Sequence, residues 1–303
     1  MTRARIRRGP ALMLLATALF TLMVAAVKVA REELGALEVI LWRTGISVPV
    51  AGLLALRGGT TRIHAKALTT LRVLFGFGAM CCFFFATKGL DLGELSVVSR
   101  LQPVLVAILA PLALGQRERS SGRLWALLAA GLGGTLLIFV PELDGGPRLR
   151  GLLPYAAAAL AATTFSACAH VCVRRLGATE DPRALVLWFQ LGAFSLAMSV
   201  LSVAGEAPTR LPPSHLWLPL AAVGLFATLG QIAMTEAYRT DQASRVAAAS
   251  YAAPVFGMLG DLVIFGTLPT LWAALGALVV IAAGLALVVD RAPSAQTTPV
   301  VSR

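Results

Sequence analysis

Charge is what this chain has least of. Asp, Glu, Lys and Arg make 14% of its 303 residues, where a soluble domain carries about 25%. Histidine is also rare: His64, His170 and His215 are the 3 present, each on a different segment. There is no Ser/His/Asp grouping, no HExxH-type helix and no glycine-rich phosphate loop. No connection is long enough to hold a soluble catalytic domain, so the chain does not read as an enzyme, and no cofactor is implied. The 4 cysteines, Cys81, Cys82, Cys168 and Cys172, all lie in apolar runs and imply no disulfide scaffold. Cys168, His170 and Cys172 suggest a metal triplet until placed on a helix. Residues four apart share a face there, and His170 points nearly opposite them; the cysteines read as small buried residues, with no metal site.

What is there is apolar. Hydrophobic residues make 57% of the chain, with a mean hydropathy of +0.80. One water-surrounded core cannot bury that excess, so lipid must act as much of the solvent. The net charge of +11 would suggest nucleic acid in a soluble protein. Here the bases flank apolar segments, as orientation in a membrane requires, and no basic stripe with interleaved aromatics marks a nucleic-acid surface.

A helix needs about 20 mainly apolar residues to cross the hydrocarbon layer. Ten segments fit: 10–30, 34–56, 67–87, 94–115, 122–140, 151–173, 184–204, 215–237, 244–265 and 270–289. The expected fold is all-α and polytopic, with short tails at 1–9 and 290–303. Arg3, Arg5, Arg7 and Arg8 ahead of Ala11–Ala30 resemble a signal peptide. The apolar run is longer than a usual signal core and opens a series of similar segments, so it reads as a retained first helix. Lys and Arg on alternate loops show a roughly threefold bias that puts both termini in the cytoplasm of a cell (inner or plasma) membrane. Arg57, Arg62, Lys66, Arg72, Arg117, Arg174 and Arg239 count toward the inner set, Lys28 and Arg31 toward the outer.

The chain also repeats. Leu41-Trp42 matches Leu187-Trp188, Ala86 matches Ala237, Pro103 matches Pro254, and Leu124-Trp125-Ala126 matches Leu271-Trp272-Ala273. Residues 10–140 and 151–289 thus form two units of five helices. An odd number inverts the second unit, an architecture common in secondary transporters, whose sites lie near the midplane between the repeats.

Several residues are candidates for function. Proline inside a helix frees the carbonyl four residues earlier, here at Ser99 for Pro103 and at Ser250 for Pro254. Open backbone at membrane depth must be buried in protein or line a cavity, so these prolines are either packing kinks or a cavity-facing hinge. Arg43 lies in the second helix, where a charge costs about 2.5–3.5 kcal/mol on insertion scales. It binds an anionic substrate group or anchors a structural pair, with Glu38 or Gln190 as partners. Arg100 and Asp261, on the two proline-bearing helices, could pair as a gate on the outer side. Gln102, Gln231 and Tyr251 add hydrogen-bonding groups near the kinks. Glu236 is either a proton carrier or a solvated helix end, and Trp42 and Trp188 either stack on a ligand or pack.

These residues resemble the EamA-type branch of the drug/metabolite transporter superfamily. Trp42-Arg43, Leu101-Gln102-Pro103-Val104, Ala237-Tyr238-Arg239, Ser250-Tyr251-Ala252-Ala253-Pro254-Val255 and Leu275-Gly276-Ala277 carry the likeness from about Ala11 to Val289. It implies ten helices around a central cavity and transport of small organic solutes such as amino acids. The segments around Tyr238 and Pro254 are similar to S-adenosylmethionine-uptake members. A proton as coupling ion, membrane lipid as surroundings and a homodimer are consistent with it. Many members place an acid directly after the glycine ending the fourth helix of each half. Gln116 and Thr267 stand there instead, with Glu118 displaced by two residues. The alternatives are an integral membrane enzyme, a channel or a receptor subunit.

Overall fold

The structure is a computed structural model that describes residues 7–86, 89–90, 92–139, 149–205, 211–265, 268 and 270–288. Twelve α-helices are found among them: α1 Arg8–Ala30, α2 Ala36–Arg57, α3 Lys66–Ala86, α4 Leu92–Ser99, α5 Gln102–Leu114 and α6 Gly122–Phe139, then α7 Leu149–Leu176, α8 Pro182–Val203, α9 Trp217–Thr240, α10 Ala243–Ala249, α11 Ala253–Phe265 and α12 Leu271–Val288. Eight segments of 18 residues or more are apolar enough to cross a membrane, and Gly122–Ile138 is a shorter apolar helix. Leu112 and Leu218, at 79% and 80% exposure, show the outward apolar surface that lipid would cover.

The segments 94–115 and 244–265, expected to bend at their prolines, are each built from two helices. The first breaks between α4 and α5 at Arg100 and Leu101, whose N–H groups turn back to Val97 and Val98 at 3.1 Å each. The second breaks through a 3-10 turn at Ser250–Ala252. Pro103 and Pro254 each stand second in the helix that restarts. A missing N–H costs nothing there, since first-turn donors have no helical partner anyway. The prolines therefore begin helices instead of kinking continuous ones.

Packing follows the repeat. α1 lies along α9 and α3 along α7, while α2 crosses α8 and α6 packs on α12. Exchanging the halves turns the α1–α9 contact into the α7–α3 contact, which is the signature of a pseudo-two-fold arrangement. Small residues permit the closest approach: a Cβ on Gly134 would lie 2.9 Å from the Gly276 carbonyl oxygen. One apolar cluster joins α1, α5, α7, α9 and α10 around Tyr238, and another joins α2, α3 and α8 around Phe77 and Phe189.

Helix starts are satisfied locally or from across the fold. Asp181 caps α8 by accepting from the Arg183 N–H at 2.8 Å, with Pro182 at the first helical position. The start of α3 uses a distant acid: Glu180, with its side chain 1% exposed, accepts from the N–H groups of His64 at 3.1 Å and Ala65 at 2.8 Å. Desolvation works to raise the Glu180 pKa, but those N–H donors and the His64 ring hold it below the usual carboxylate value. A carboxyl depressed in the folded state stabilises above its unfolded pKa and loses that contribution as pH falls through the folded one. Glu180→Gln should therefore cost about 1–3 kcal/mol of stability at neutral pH. In thermal unfolding, the gap between wild type and variant should narrow on acidification; a gap that is constant with pH would remove the charge from this account.

Candidate functional site

Charge and apolar surface meet in a cavity of about 730 Å³ between the two halves. α1, α2, α3, α4 and α5 line it from the first half, and α7, α8 and α9 from the second. Its mouth lies at the C-terminal end of α1, beside the exposed Lys28 and Arg31. The Arg31 guanidinium carbon stands 5.9 Å from the centre of the Phe84 ring there. Met23, Val27, Ile40, Met80 and Phe83 make the walls apolar.

Polar groups converge deeper in. Arg43 projects from α2, and its Nη1 donates to the Met80 sulfur at 3.4 Å, while its Nε has no protein acceptor. Arg72 reaches in from α3, donates from Nη2 to Gln231 Oε1 at 3.1 Å, and lies over the Phe189 ring at 3.9 Å. A cation against an aromatic face recovers part of the solvation lost to burial. Gln102 Nε2 is in hydrogen-bond contact with His170 Nδ1, and the His170 ring stacks on Tyr238 with centroids 5.2 Å apart. None of the described lining residues is an acid.

The two helix breaks touch each other. Proline at 254 has no N–H to give the Ser250 carbonyl, and that oxygen instead accepts from the Ala253 N–H in 3-10 fashion. It also accepts from Arg100 Nη1 at 3.4 Å, so the break of one half caps the break of the other. Ser99 closes on its own helix, its Oγ donating to the Leu95 carbonyl at 2.8 Å.

At the opposite end, the side of Arg7, the bundle is bolted shut. Glu118 Oε1 accepts from Arg174 Nε at 2.7 Å and its Oε2 from the Ala243 N–H at 2.8 Å, tying the end of α5 to α7 and α10. Arg174 Nη1 also donates to the carbonyls of Tyr238 at 2.9 Å and Arg239 at 3.1 Å. Gln242 Nε2 donates to the carbonyls of Glu118 and Arg119, both at 2.9 Å, and Ser120 donates to Ser244 at 2.9 Å. Asp241 holds Arg7 at 3.5 Å and Arg245 at 3.8 Å.

A family model described as the EamA-like transporter family matches residues 7–140 and 153–289. The chain belongs to that family. Its two matched segments coincide with the two halves of the fold. A pseudopaline exporter of Pseudomonas aeruginosa strain UCBPP-PA14 is 27% identical over 284 residues, 93% of this chain and 96% of that protein. An uncharacterized transporter of Helicobacter pylori strain J99 is 26% identical over 291 residues, 91% of this chain and 93% of that one. Human solute carrier family 35 member G1 is 27% identical over 223 residues, 71% of this chain and 60% of that protein. A solved crystal structure superposes with a TM-score of 0.80 at 20% identity, covering 93% of this chain and 96% of that one, which shows the fold alone.

Within this EamA-like fold, Arg43, Ser99, Gln102 and Gln231 line the cavity. Pro103, Ser250 and Pro254 belong to the breaks beside it. Trp42 packs edge-on against Trp217 with centroids 5.5 Å apart, and Trp188 donates to the Thr61 carbonyl at 2.8 Å; neither is among the cavity-lining residues. Tyr251 is 2% exposed in the cluster that joins α6 and α12. Gln190 is fully buried in α8, with no partner for its amide. Glu236 pairs with Arg239 at 3.5 Å, outside the cavity. The side chain of Asp261 lies outside the described residues, as does Thr267. Arg43 forms no ion pair among the described residues, with Glu38 or otherwise.

Sequence reasoning missed Arg72, Lys28, Arg31 and His170. The three bases were counted as flanking charges, but Arg72 lies well inside α3 and is 6% exposed. His170 faces the cavity while Cys168 and Cys172 line an apolar groove on the other side of α7, as helical spacing requires. The displaced acid Glu118 also has its explanation: Gly115, at φ 92°, ends α5, and the 3-10 turn Gln116–Glu118 delivers the carboxylate to Arg174. Glu118→Gln and Arg174→Gln should each lower thermal stability. Their double variant should lose less than the sum, with a coupling of about 0.5–3 kcal/mol; simple additivity would dissolve the bolt.

Proposed function

We propose that this chain is a secondary carrier of small organic metabolites, amino acids or related compounds, working by alternating access. One observation carries the reading: a cavity between two repeats that opens at one membrane face while a polar network closes the other. A single continuous pore would be a channel, and a site at one interface would suit an enzyme. The reading takes the chain as ten crossings in two inverted halves, in a cell membrane, with both termini cytoplasmic. The closed end then faces the cytoplasm, and the structure corresponds to an outward-facing state. The pseudopaline exporter among its relatives supports export of a metabolite as the direction of net transport. A solute or proton gradient drives the cycle. Glu236, paired with Arg239 away from the cavity, gives no support as the proton carrier.

Arg43, Ser99, Gln102 and Gln231 contact the solute in this reading. The broken helices, restarting at Pro103 and Pro254, are where the halves rock. Proline at the start of α5 and α11 keeps each break open, because alanine would restore an N–H and let the helix continue through it. In proteoliposomes made with the purified protein and a solute found by thermal-shift screening, flux should saturate and show counterflow. Non-saturating flux without counterflow would indicate a channel and end the carrier reading. The Pro103→Ala, Pro254→Ala double variant should fold yet transport on the order of tenfold more slowly, since conformational steps set many turnover rates. An unchanged rate would remove the breaks from the mechanism.

A further inference from the structure

We propose that the cavity selects organic carboxylates of net negative charge, bound head-down with an apolar body toward the mouth. This rests on the carrier reading and names the substrate class of that same site. The argument begins with charge balance. Lys28 and Arg31 stand at the mouth, Arg43 about 10 Å further along α2 and Arg72 about 20 Å in along α3, at 1.5 Å per residue. The cations therefore form a ladder at three depths, and none of the described lining residues opposes it with an acid.

The two deep rungs have only neutral partners. Arg43 has a thioether, and Arg72 has an amide oxygen and an aromatic face. Neither compensates a full charge, whereas three partly buried arginines at the closed end have carboxylates: Arg174 has Glu118, and Arg7 and Arg245 share Asp241. A guanidinium at membrane depth without a counter-ion is a site waiting for one. Its planar fork matches a carboxylate bidentately, and the free Nε of Arg43 leaves one edge of that fork unused. Gln102 and His170 supply further hydrogen-bonding groups in the same cavity. Above the guanidiniums the walls are thioether, aliphatic and phenyl, formed by Met23, Val27, Ile40, Met80 and Phe84. That sequence of environments fits an acid head and an apolar body. At the mouth the exposed Glu32 and Glu33 follow Arg31, so selection for anions falls to the buried Arg43 and Arg72.

The test is thermal-shift and calorimetric binding to the purified full-length protein. The probes are aryl and alkyl mono- and dicarboxylates, each beside the amide and the amine of the same skeleton. Acids should bind and stabilise the protein, and their amides and amines should not. Arg43→Gln should weaken acid binding by at least about tenfold, and Arg43→Lys should restore part of it, with the melting temperature of each ligand-free variant showing that it folds. Equal binding of amides or amines, or acid binding unchanged in Arg43→Gln, would overturn the proposal. Displacement by phosphatidylglycerol with no binding of soluble acids would assign the cations to a lipid headgroup and also overturn it. Saturable counterflow of a cationic solute would refute anion selection while leaving the carrier reading intact. Non-saturating flux would instead remove the carrier.

Discussion

Hydrocarbon offers no hydrogen bonds, and the rest of this structure depends on how its helices meet that constraint. A carbonyl left open at membrane depth must find a protein partner or an aqueous cavity. The Ser250 carbonyl, which Pro254 cannot engage, finds the Ala253 N–H and the guanidinium of Arg100. That second donor comes from the break in the other half. The first interruption thus supplies a donor to the second, which its own half satisfies only in part. The same demand collects Arg43, Arg72, Gln102 and Gln231 along one cavity.

A fold of two similar halves related by a pseudo-two-fold makes its two ends similar in principle. A single conformation must make them different. On the Arg7 side, the difference is built from a carboxylate that ties three segments together, Glu118 holding Arg174 and the first N–H of α10. On the Lys28 side, residues from the ends of α1, α2 and α3 line the cavity, with the exposed Lys28 and Arg31 at its rim beside Glu32 and Glu33. The polar contacts that close one face are short and directional, and they must all be released for that face to open. In the proposed carrier this would give the two states distinct contact sets, which any coupling between solute and conformation requires.

The acid that the family resemblance implies directly after the glycine ending α5 is absent: Gln116 stands there. Glu118, two residues later, does work that needs only a carboxylate delivered to the same end of the bundle. The 3-10 turn after Gly115 makes up the displacement, since it advances the chain by nearly a full turn in three residues. A residue's role at a helix end is set by where the backbone delivers it, so counting from a motif misplaces it when the turn type changes.

Hydropathy, charge bias and the spacing of repeated Trp, Pro and Ala residues were enough to read a polytopic all-α chain of two similar halves, because lipid imposes length and composition on every span. Arg43, Ser99, Gln102 and Gln231, which line the cavity, were legible as candidates, since polar groups in apolar runs are costly and need a reason. The helix breaks were half legible: proline at 103 and 254 marked them, but a proline kink and a proline helix start look alike until backbone hydrogen bonds are traced. Arg72, Lys28, Arg31 and His170 were not legible. Membership of a cavity depends on which face of a helix meets which neighbour, and no local pattern carries that. The same holds for the closure at Glu118, Arg174 and Asp241, which joins residues far apart in the chain. The single-chain pattern determined what must be in the membrane; tertiary packing alone decided which charges are paired, which are left facing a solute, and which face of the bundle is open.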